Sequence, residues 1–482
     1  MHLEAHAGLG WILGTVPRGS DRRLRNSCVV AAIIADVDAV ALLWGREAYD
    51  RWHHTFGHNI FLGLLVVGAG CGVRAPHGWS GGMTTLLQTL RESLLDGVRR
   101  FGVARWIIVG FLALVWLIAA LGTDLSLGTL MGDCLVRSGM NGLLVLALVL
   151  PVRAGHGLNF GIPLGIVCGL VGGIAVMELA AKHPYGLADL PSQPEIAYGW
   201  SGFALAHVLA LPLAALAGWG YGWLLERVRG REMMVGIYVG FGAIAGMCVV
   251  WLLAPLTSEE LIWPIGGHGV RNTIVLDSHY KWILDSALEI DFGTWAPAEL
   301  DAQGNPPPFR RPEGFYIPTG LLLYWFGACA LMSAFLRTRL GTAMTAAGEN
   351  PHYARSVGIA VPRMRILSTI ISTVLAAAGI IVYSQSYGFY QLYKAPLWMA
   401  FPTVAALLLG GASLRRATVY HVVIGTCLFQ SLLTTSLPTV NDLVQSSPYA
   451  DGLANLPEIA RLVIQNGVIL YALSRGTRNG AP

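Results

Sequence analysis

Histidine and aspartate, whose side chains together bind many divalent metal ions, are concentrated near the start of the sequence. His53 and His58 stand five residues apart in YDRWHHTFGHN, and Asp36 and Asp38 bracket a single valine in ADVDA. Imidazole nitrogens and carboxylate oxygens in one short stretch favour zinc or manganese. The pattern predicts a divalent metal site within residues 1–66, unless these polar residues belong to a degraded fragment. The candidate ligands are His6, Asp36, Asp38, His53 and His58.

A second polar stretch, GTAMTAAGENPHYARSVGIAVPRMR at 341–365, lies between the apolar spans 316–336 and 366–384. Its arginines assign the loop 337–365 to the cytoplasm, because positively charged residues remain on that side of the membrane. A loop of this length holds one or two short helices. It is therefore predicted to present a folded surface to a cytoplasmic partner. The arginines are Arg337, Arg339, Arg355, Arg363 and Arg365.

The composition is that of a chain that crosses a membrane many times. Of the 482 residues, 54% are hydrophobic and 12% are charged, whereas soluble domains carry roughly 25% charged residues. The mean hydropathy is +0.56, and the 59 glycines suit close helix packing in lipid. The net charge of +4, with arginines at span ends, does not indicate nucleic-acid binding. None of the seven cysteines forms a CxxC pair, so neither a disulfide framework nor a zinc ribbon is indicated.

We predict an all-α fold, a polytopic bundle of about ten transmembrane helices within residues 105–476. With Arg99, Arg100 and Arg105 inside, every loop that alternation places in the cytoplasm carries arginine, so both ends of this region are predicted to be cytoplasmic. The short span 397–413 is either a full crossing or a broken or re-entrant helix. The predicted spans are 106–122, 136–152, 158–179, 203–225, 233–255, 316–336, 366–384, 397–413, 418–437 and 457–474.

The longest predicted external loop, 256–315, is longer than a connection requires. It contains the mixed run LDSHYKWILDSALEIDFGTW and the proline-rich run GNPPPFRRPEG. We interpret this loop either as a partly ordered insertion or as a docking surface for an external partner.

The sequence contains no phosphate-binding loop of the type that ATPases use. Such a loop needs a lysine directly after a glycine, whereas Lys182, Lys281 and Lys394 follow alanine or tyrosine. Transport driven by nucleotide hydrolysis would therefore require a separate ATPase subunit.

The segment GENPHYARSVGIAVPRMRILSTIISTVLAAAGI resembles the ABC-importer permeases of the branched-chain amino acid and ribose type. In that family a loop of the form G-x-N-x-x-A-A-x-x-x-G-I-x-V precedes a span with a small-residue stretch. Tyr353 stands where the first of the two alanines would be. The resemblance implies that residues 342–363 contact a cytoplasmic ATPase, with Glu349 and Arg355 as candidate coupling charges. The positions that fit the pattern are Gly348, Asn350, Ala354, Gly358, Ile359 and Val361.

Four further residues are candidates for the translocation pathway. Gly410 and Gly411, in LLLGGASLRR, look like the family's G-G-x-S stretch, although tight helix packing is the alternative for both. Asn159 stands near the position of an acidic residue in sugar permeases of this type, so its presence departs from the ribose-like pattern. Gln430 lies mid-span, where it either lines the pathway or makes an interhelical hydrogen bond.

The resemblance implies a transmembrane permease subunit, not an enzyme, in a bacterial cytoplasmic membrane. Its implied partners are a cytoplasmic ABC ATPase, an external solute-binding protein, a second permease copy or paralogue, and the lipid bilayer. The first expectation for the solute is a monosaccharide or a related small polar molecule, followed by nucleosides and branched-chain amino acids. No cofactor is expected in the permease region. An ion-coupled secondary transporter is a rival interpretation, and it requires an essential buried acid.

Residues 1–66 resemble a fragment of the membrane-bound metal-dependent hydrolase family, whose motifs are T-H, P-D-x-D and H-R-x-x-T-H-S. This sequence departs from those motifs at Ala5, Ala35, His54, Gly57 and Asn59. The first interpretation is a working metal module with hydrolase activity fused to the permease. The second is a remnant that is joined to the permease through a junction and cytoplasmic lead-in at residues 67–104.

Overall fold

The computed structural model describes residues 103–122, 126–182, 194–258, 260–263, 269–277, 279–292 and 315–445, with the single positions 459, 463, 466 and 467. The chain divides into two compact units, Met1–Phe111 and Leu112–Pro482. The first unit is described only over its last nine residues. The predicted segments 1–66 and most of 67–104 therefore lie outside the described residues, as does most of the predicted last span. The same holds for the predicted metal ligands His6, Asp36, Asp38, His53 and His58.

The described residues form helices joined by short connections, with four strands of two or three residues. The helices are α1 (Val103–Gly122), α2 (Leu127–Ala147), α3 (Val149–Arg153), α4 (Ile162–Lys182), α5 (Pro194–Arg227), α6 (Glu232–Leu253), α7 (Thr319–Leu336), α8 (Arg339–Glu349), α9 (Pro351–Ser356), α10 (Val361–Tyr387), α11 (Lys394–Trp398), α12 (Ala400–Leu409) and α13 (Val419–Gln445). The strands are β1 (Thr273–Val275), β2 (Ile290–Asp291), β3 (Tyr316–Ile317) and β4 (Phe389–Gln391).

The predicted all-α membrane architecture is confirmed. Within the described ranges, 7 helical stretches are long and apolar enough to cross a bilayer. Two more predicted spans coincide with the shorter apolar stretches Ile108–Leu121 and Lys394–Leu409. The second of these consists of α11 and α12, which meet at Met399, and so agrees with the broken-helix alternative for 397–413. The total of ten spans stays a prediction.

Close backbone contacts define the centre of the bundle, where α10 packs against α2, α4 and α5, and α4 packs against α5. Gly165 and Gly169 lie one turn apart on the face of α4 that contacts α10. A Cβ atom at Gly169 would lie 2.5 Å from the carbonyl oxygen of Ala377, and one at Gly165 would lie 2.5 Å from that of Thr373. Small residues at such spacing let two helices approach where lipid provides no hydrophobic driving force.

Helix α10 has 27 residues, so its two ends are about 40 Å apart. That length exceeds the roughly 30 Å hydrocarbon core of a bilayer. We call the end of the bundle that carries α8 and α9 the inner end, and the opposite end, near Tyr387, the outer end. At the outer end, β1 pairs antiparallel with β4, with Thr273 opposite Gln391. The described part of the predicted loop 256–315 is thus folded onto the bundle.

Candidate functional site

The predicted coupling loop forms two short helices, as expected from its length. We call residues 337–365 the coupling segment. Thr338 caps α8, because its side chain accepts a hydrogen bond from the backbone N–H of Gly341. Asn350 caps α9 in the same way by accepting from Tyr353 at 3.0 Å. Gly358 follows α9 with φ +84°, a left-handed conformation that glycine adopts at no steric cost and that ends the helix.

The residues predicted for ATPase coupling fall into an inward and an outward set. Ala354 and Val361 are buried and pack with Ala347, while Ile359 is half-buried against them. These residues hold the segment together. Glu349, Asn350, Arg355 and Gly358 are exposed, and Gly348 is half-buried. The exposed set is available to a partner, and its predicted role in coupling stays a prediction.

Two exposed apolar side chains on the coupling segment were not among the residues predicted from the sequence. Tyr353 is 62% exposed and Val357 is 54% exposed, one turn apart around α9. In the sequence, Tyr353 stands out only as a departure from the family pattern. An aromatic residue in this polar, charged stretch is the signal that could have identified it, since interface centres are enriched in tyrosine.

Arg153 attaches the coupling segment to the inner end of the bundle. Its Nε donates to the carbonyl oxygen of Ala417 at 2.8 Å, and one terminal nitrogen donates to Thr345 Oγ1 at 3.4 Å. Gly348 completes the contact, because a Cβ atom there would lie only 1.9 Å from the carbonyl oxygen of Arg153. The sequence indicated Arg153 only as an orientation marker. The structure shows that it joins α8 to the connection before α13.

A charged cluster lies next to this attachment, with His156, Glu226 and Arg365 mostly buried and Arg229 exposed at its edge. We call His156, Glu226, Arg229 and Arg365 the inner cluster. The Glu226 carboxylate, 9% exposed, lies 3.5 Å from a guanidinium nitrogen of Arg365 and pairs with Arg229. Arg365 Nε also donates to the carbonyl oxygen of Ala154 at 3.3 Å. The cluster therefore joins the end of α5, the start of α10 and the connection between α3 and α4.

His156 is the neutral member of the inner cluster. Burial, together with the positive charges of Arg365 and Arg229, lowers the pKa of this imidazole from 6.5 to about 3. Its Nε2 lies 3.9 Å from the Glu226 carboxylate, beyond hydrogen-bonding distance. A neutral ring therefore fills the site without adding a third positive charge to the two arginines.

We expect acidification from about pH 7 to about pH 5 to lower the melting temperature of the wild-type chain more than that of His156→Asn. The pKa of His156 is lower in the folded chain than in the unfolded chain. The unfolded chain therefore takes up a proton below about pH 6.5 that the folded chain does not. The stability contributed by neutral His156 is complete above that pH and is lost as the pH falls towards about 3.

Thermal unfolding of the detergent-solubilised protein at the two pH values measures this effect. His352→Asn is the matched control, because His352 is exposed on α9. An equal fall in melting temperature for wild type and His156→Asn would contradict the assignment.

Asn159, a predicted pathway residue, is fully engaged at the inner end. Its Oδ1 accepts from Tyr221 at 3.0 Å and from the backbone N–H of Gly161 at 2.9 Å. Its Nδ2 donates to Ser372 Oγ at 3.1 Å. These bonds connect the start of α4 with α5 and α10. The geometry supports a positioning role within the bundle, while contact with solute stays a prediction.

The other predicted pathway residues lie where α12 and α13 meet. A Cβ atom at Gly410 would lie 1.9 Å from the carbonyl oxygen of His421, so the geometry favours the packing alternative for Gly410. Gly411 has φ +107°, a left-handed backbone conformation that favours glycine. Gln430 is buried on α13 beside Thr434 and a neighbouring run of hydroxyl side chains. That run also includes Ser431, Thr435, Ser436 and Thr439.

Among the described residues, no group of three or more histidine, cysteine, aspartate or glutamate side chains is arranged to hold a metal ion. Two buried carboxylates at opposite ends of the bundle have structural partners instead. Glu226 is paired with arginine, and Glu178, at the outer end of α4, accepts from the backbone N–H groups of Thr257 and Ser258 at 2.9 and 3.1 Å. Both acids thus connect parts of the fold.

Residues 130–471 match the family model described as the permease component of a branched-chain amino acid transport system. This chain belongs to that permease family. The match begins in α2 and includes every helix from α4 to α13. Together with the seven apolar helical stretches, it identifies a multi-pass membrane protein whose residues 130–471 are a transport subunit of the permease type.

Individual relatives of this permease are more distant. The "Autoinducer 2 import system permease protein LsrC" of Yersinia enterocolitica is 29% identical over 248 residues, which cover 51% of this chain and 61% of the relative. Its counterpart from Enterobacter sp. strain 638 is 29% identical over 243 residues, covering 50% of this chain and 64% of the relative. The chain thus spans less than two thirds of the length of these curated relatives. No solved structure matches it significantly.

Proposed function

We propose that this chain is the membrane subunit of an ABC importer that carries a small sugar-like solute across the bacterial cytoplasmic membrane. The observation that carries the proposal is the coupling segment, a folded pair of helices at one end of a family-type bundle. It exposes Tyr353, Val357, Glu349 and Arg355. A surface that combines apolar and charged side chains suits a protein partner, and a cytoplasmic ABC ATPase is the partner that would power transport.

The proposed assembly has three further components. A second copy of the chain or a paralogue completes the translocation pathway, and an external solute-binding protein delivers the solute at the outer end. Both ends of the bundle region then face the cytoplasm. The arginines of the coupling segment support this orientation, since positive charge favours the cytoplasmic side.

The hydroxyl groups of α13 support a sugar-like solute. Thr434, Thr435 and Thr439 each donate to a carbonyl oxygen four residues earlier, at 2.7 to 2.8 Å. Their oxygens keep free lone pairs and so act as acceptors for O–H donors. Gln430 adds an amide on the same helix. The LsrC relatives are named for import of autoinducer 2, and we include that molecule in the proposed solute class.

Gly358→Trp is expected to reduce uptake at least tenfold while the chain stays in the membrane. Nothing lies within 4 Å of a Cβ atom at Gly358, so the indole would project from the coupling segment and obstruct the ATPase. Gly230→Trp is the matched control. Gly230 also has φ +84° and open space around it, but it lies in the turn between α5 and α6. Both variants therefore carry the same backbone strain.

Uptake of ribose and autoinducer 2 is measured in cells that express the chain together with an ABC ATPase and a solute-binding protein that support uptake by the wild-type chain. Reversing the charges of Glu349 and Arg355 together is expected to give the same loss of uptake. Removing one partner of a charge pair that is buried in an interface costs about 2–5 kcal/mol. Wild-type uptake by Gly358→Trp and by the reversal would show that this segment does not couple ATP hydrolysis to transport.

A further inference from the structure

Residues 280–287 form a buried, irregular segment at the outer end of the bundle. Tyr280, Ile283, Leu284 and Asp285 are buried, although this part of the chain makes turns and no regular helix. Irregular backbone at such a position requires partners for its N–H and C=O groups within the protein. The identity of those partners indicates what the segment does.

Gln385, near the end of α10, supplies two of these partners. Its backbone carbonyl accepts from the N–H of Trp282 at 2.8 Å, and its Oε1 accepts from the N–H of Leu284 at 3.1 Å. Its Nε2 donates to Ser386 Oγ at 2.6 Å, which fixes the orientation of the amide. The side chain is fully buried, so water does not compete for these bonds.

Two further contacts hold the segment against neighbouring helices. Ala287 accepts from the backbone N–H of Gly320, the second residue of α7, at 2.9 Å. The hydroxyl of Tyr280 bonds to that of Tyr390, and Tyr390 packs so closely on α4 that a Cβ atom at Gly173 would lie 2.1 Å from its oxygen. The segment therefore covers the outer end of the bundle between α4, α7 and α10.

The backbone is strained at two positions, one within the segment and one directly after it. Trp282 has φ 57° and Leu288 has φ 55°, left-handed conformations that cost free energy for any residue with a Cβ atom. Leu288 is 74% exposed, so packing of its side chain does not compensate. Strain of this kind persists only where surrounding contacts enforce it, and it is common in segments that switch. The hydrogen bonds to Gln385 enforce the conformation of Trp282, and the bond from Gly320 holds Ala287, the residue before Leu288.

We propose that residues 280–287 are an outer gate of the transport pathway and that Gln385 is the positioning residue that keeps the gate closed. The gate assignment rests on the proposed transport function. When α10 moves, the bonds from Gln385 to Trp282 and Leu284 break, and release of the left-handed strain favours opening. The gate is thus built from the segment that the sequence indicated only as an insertion or docking surface.

The test measures exposure of the gate directly. Leu284→Cys places a thiol on a buried gate residue and keeps the N–H that Gln385 accepts. Right-side-out membrane vesicles that hold the full-length chain are treated with a membrane-impermeant maleimide, which then has access to the outer end. The wild-type chain gives the background labelling rate, and the additional labelling of the Leu284→Cys chain reports gate opening. This readout needs neither ATP nor solute, so it is separate from the uptake test of the proposed function.

Adding Gln385→Leu to the Leu284→Cys chain should raise the labelling rate about tenfold, as expected for loss of one buried hydrogen bond. Gln385→Glu should label within about threefold of the parent, because a buried glutamic acid stays protonated and keeps both an acceptor and a donor. Parental labelling of Gln385→Leu would overturn the gate. Equal labelling of the two Gln385 variants would overturn the role of the amide.

A second pair of variants tests the strain and does not depend on Gln385. Leu288→Gly removes both the side chain and the left-handed strain, whereas Leu288→Ala removes the side chain alone. In the Leu284→Cys chain, the glycine variant should label about fivefold more slowly than the alanine variant, because its closed state is relaxed. Equal rates, or faster labelling with glycine, would overturn the proposal. If Gln385→Leu fails to reach the membrane, this pair decides the outcome.

Discussion

Gly348→Val is expected to reduce solute uptake about a hundredfold while the chain remains inserted in the membrane. A Cβ atom at this position would lie 1.9 Å from the carbonyl oxygen of Arg153 and 2.8 Å from the backbone nitrogen of Gly155. Both are backbone atoms, so no side chain can rotate away to make room. Helix α8 must therefore move off the inner end, and the coupling segment loses the geometry that its partner requires.

The control is Gly246→Val, the same substitution within helix α6. Nothing lies within 4 Å of a Cβ atom there, so the variant carries the same change in helix propensity without the clash. Uptake and the ATPase activity of the assembled complex are measured for both variants at equal amounts of membrane protein. If Gly348→Val transports as well as Gly246→Val, the contact between α8 and Arg153 has no part in coupling.

Gly410→Leu is expected to prevent stable folding and not merely to slow uptake. A Cβ atom at Gly410 would lie 1.9 Å from the carbonyl oxygen of His421 on α13. A Cβ atom at Gly425 would lie 1.9 Å from the carbonyl oxygen of Ala406 on α12. The two backbones are thus in direct contact on both sides. A leucine would force α12 and α13 apart along their whole interface, and overpacking at a contact this close exceeds the usual cost of about 1–3 kcal/mol.

The measurement is the amount of monodisperse protein after extraction in mild detergent, which we expect to fall more than tenfold. Gly327→Leu on α7 is the control, because nothing lies within 4 Å of a Cβ atom at that exposed position. The result also separates the two interpretations of Gly410. A variant that folds normally and transports poorly would assign this glycine to the pathway and not to helix packing.

The helices of this bundle were predictable because lipid imposes a strong and local rule. A stretch such as Glu232–Leu253 has to be apolar after its first residue to cross a bilayer, and hydropathy alone reveals it. The coupling segment was predictable for a different reason. Its glycine and asparagine, Gly358 and Asn350, stand at helix boundaries that need a left-handed residue and a capping side chain, respectively.

The outer gate was not predictable, since its contacts join residues that are far apart in the sequence. The backbone N–H of Leu284 donates to the side chain of Gln385, about a hundred positions further along the chain. Strand β1, which pairs with β4, has only three residues and is too short to show an alternating pattern in the sequence. The contacts of Arg153 and Glu226 were not predictable for a related reason. A charged residue at a span end is ordinarily read as an orientation signal, and only the fold shows that these two lie against the carbonyl of Ala417 and the guanidinium of Arg365.

Helix α10 carries the coupling segment at its start and Gln385 near its end. It has a proline only in its first turn, whereas α5 and α13 contain Pro212 and Pro438 in their interiors. Because it has no internal proline, we treat α10 as a rod about 40 Å long. A tilt of about 10° around its midpoint displaces each end by about 3.5 Å, more than the length of a hydrogen bond. It is therefore a lever whose movement at one membrane face reaches the other without any relay of side chains.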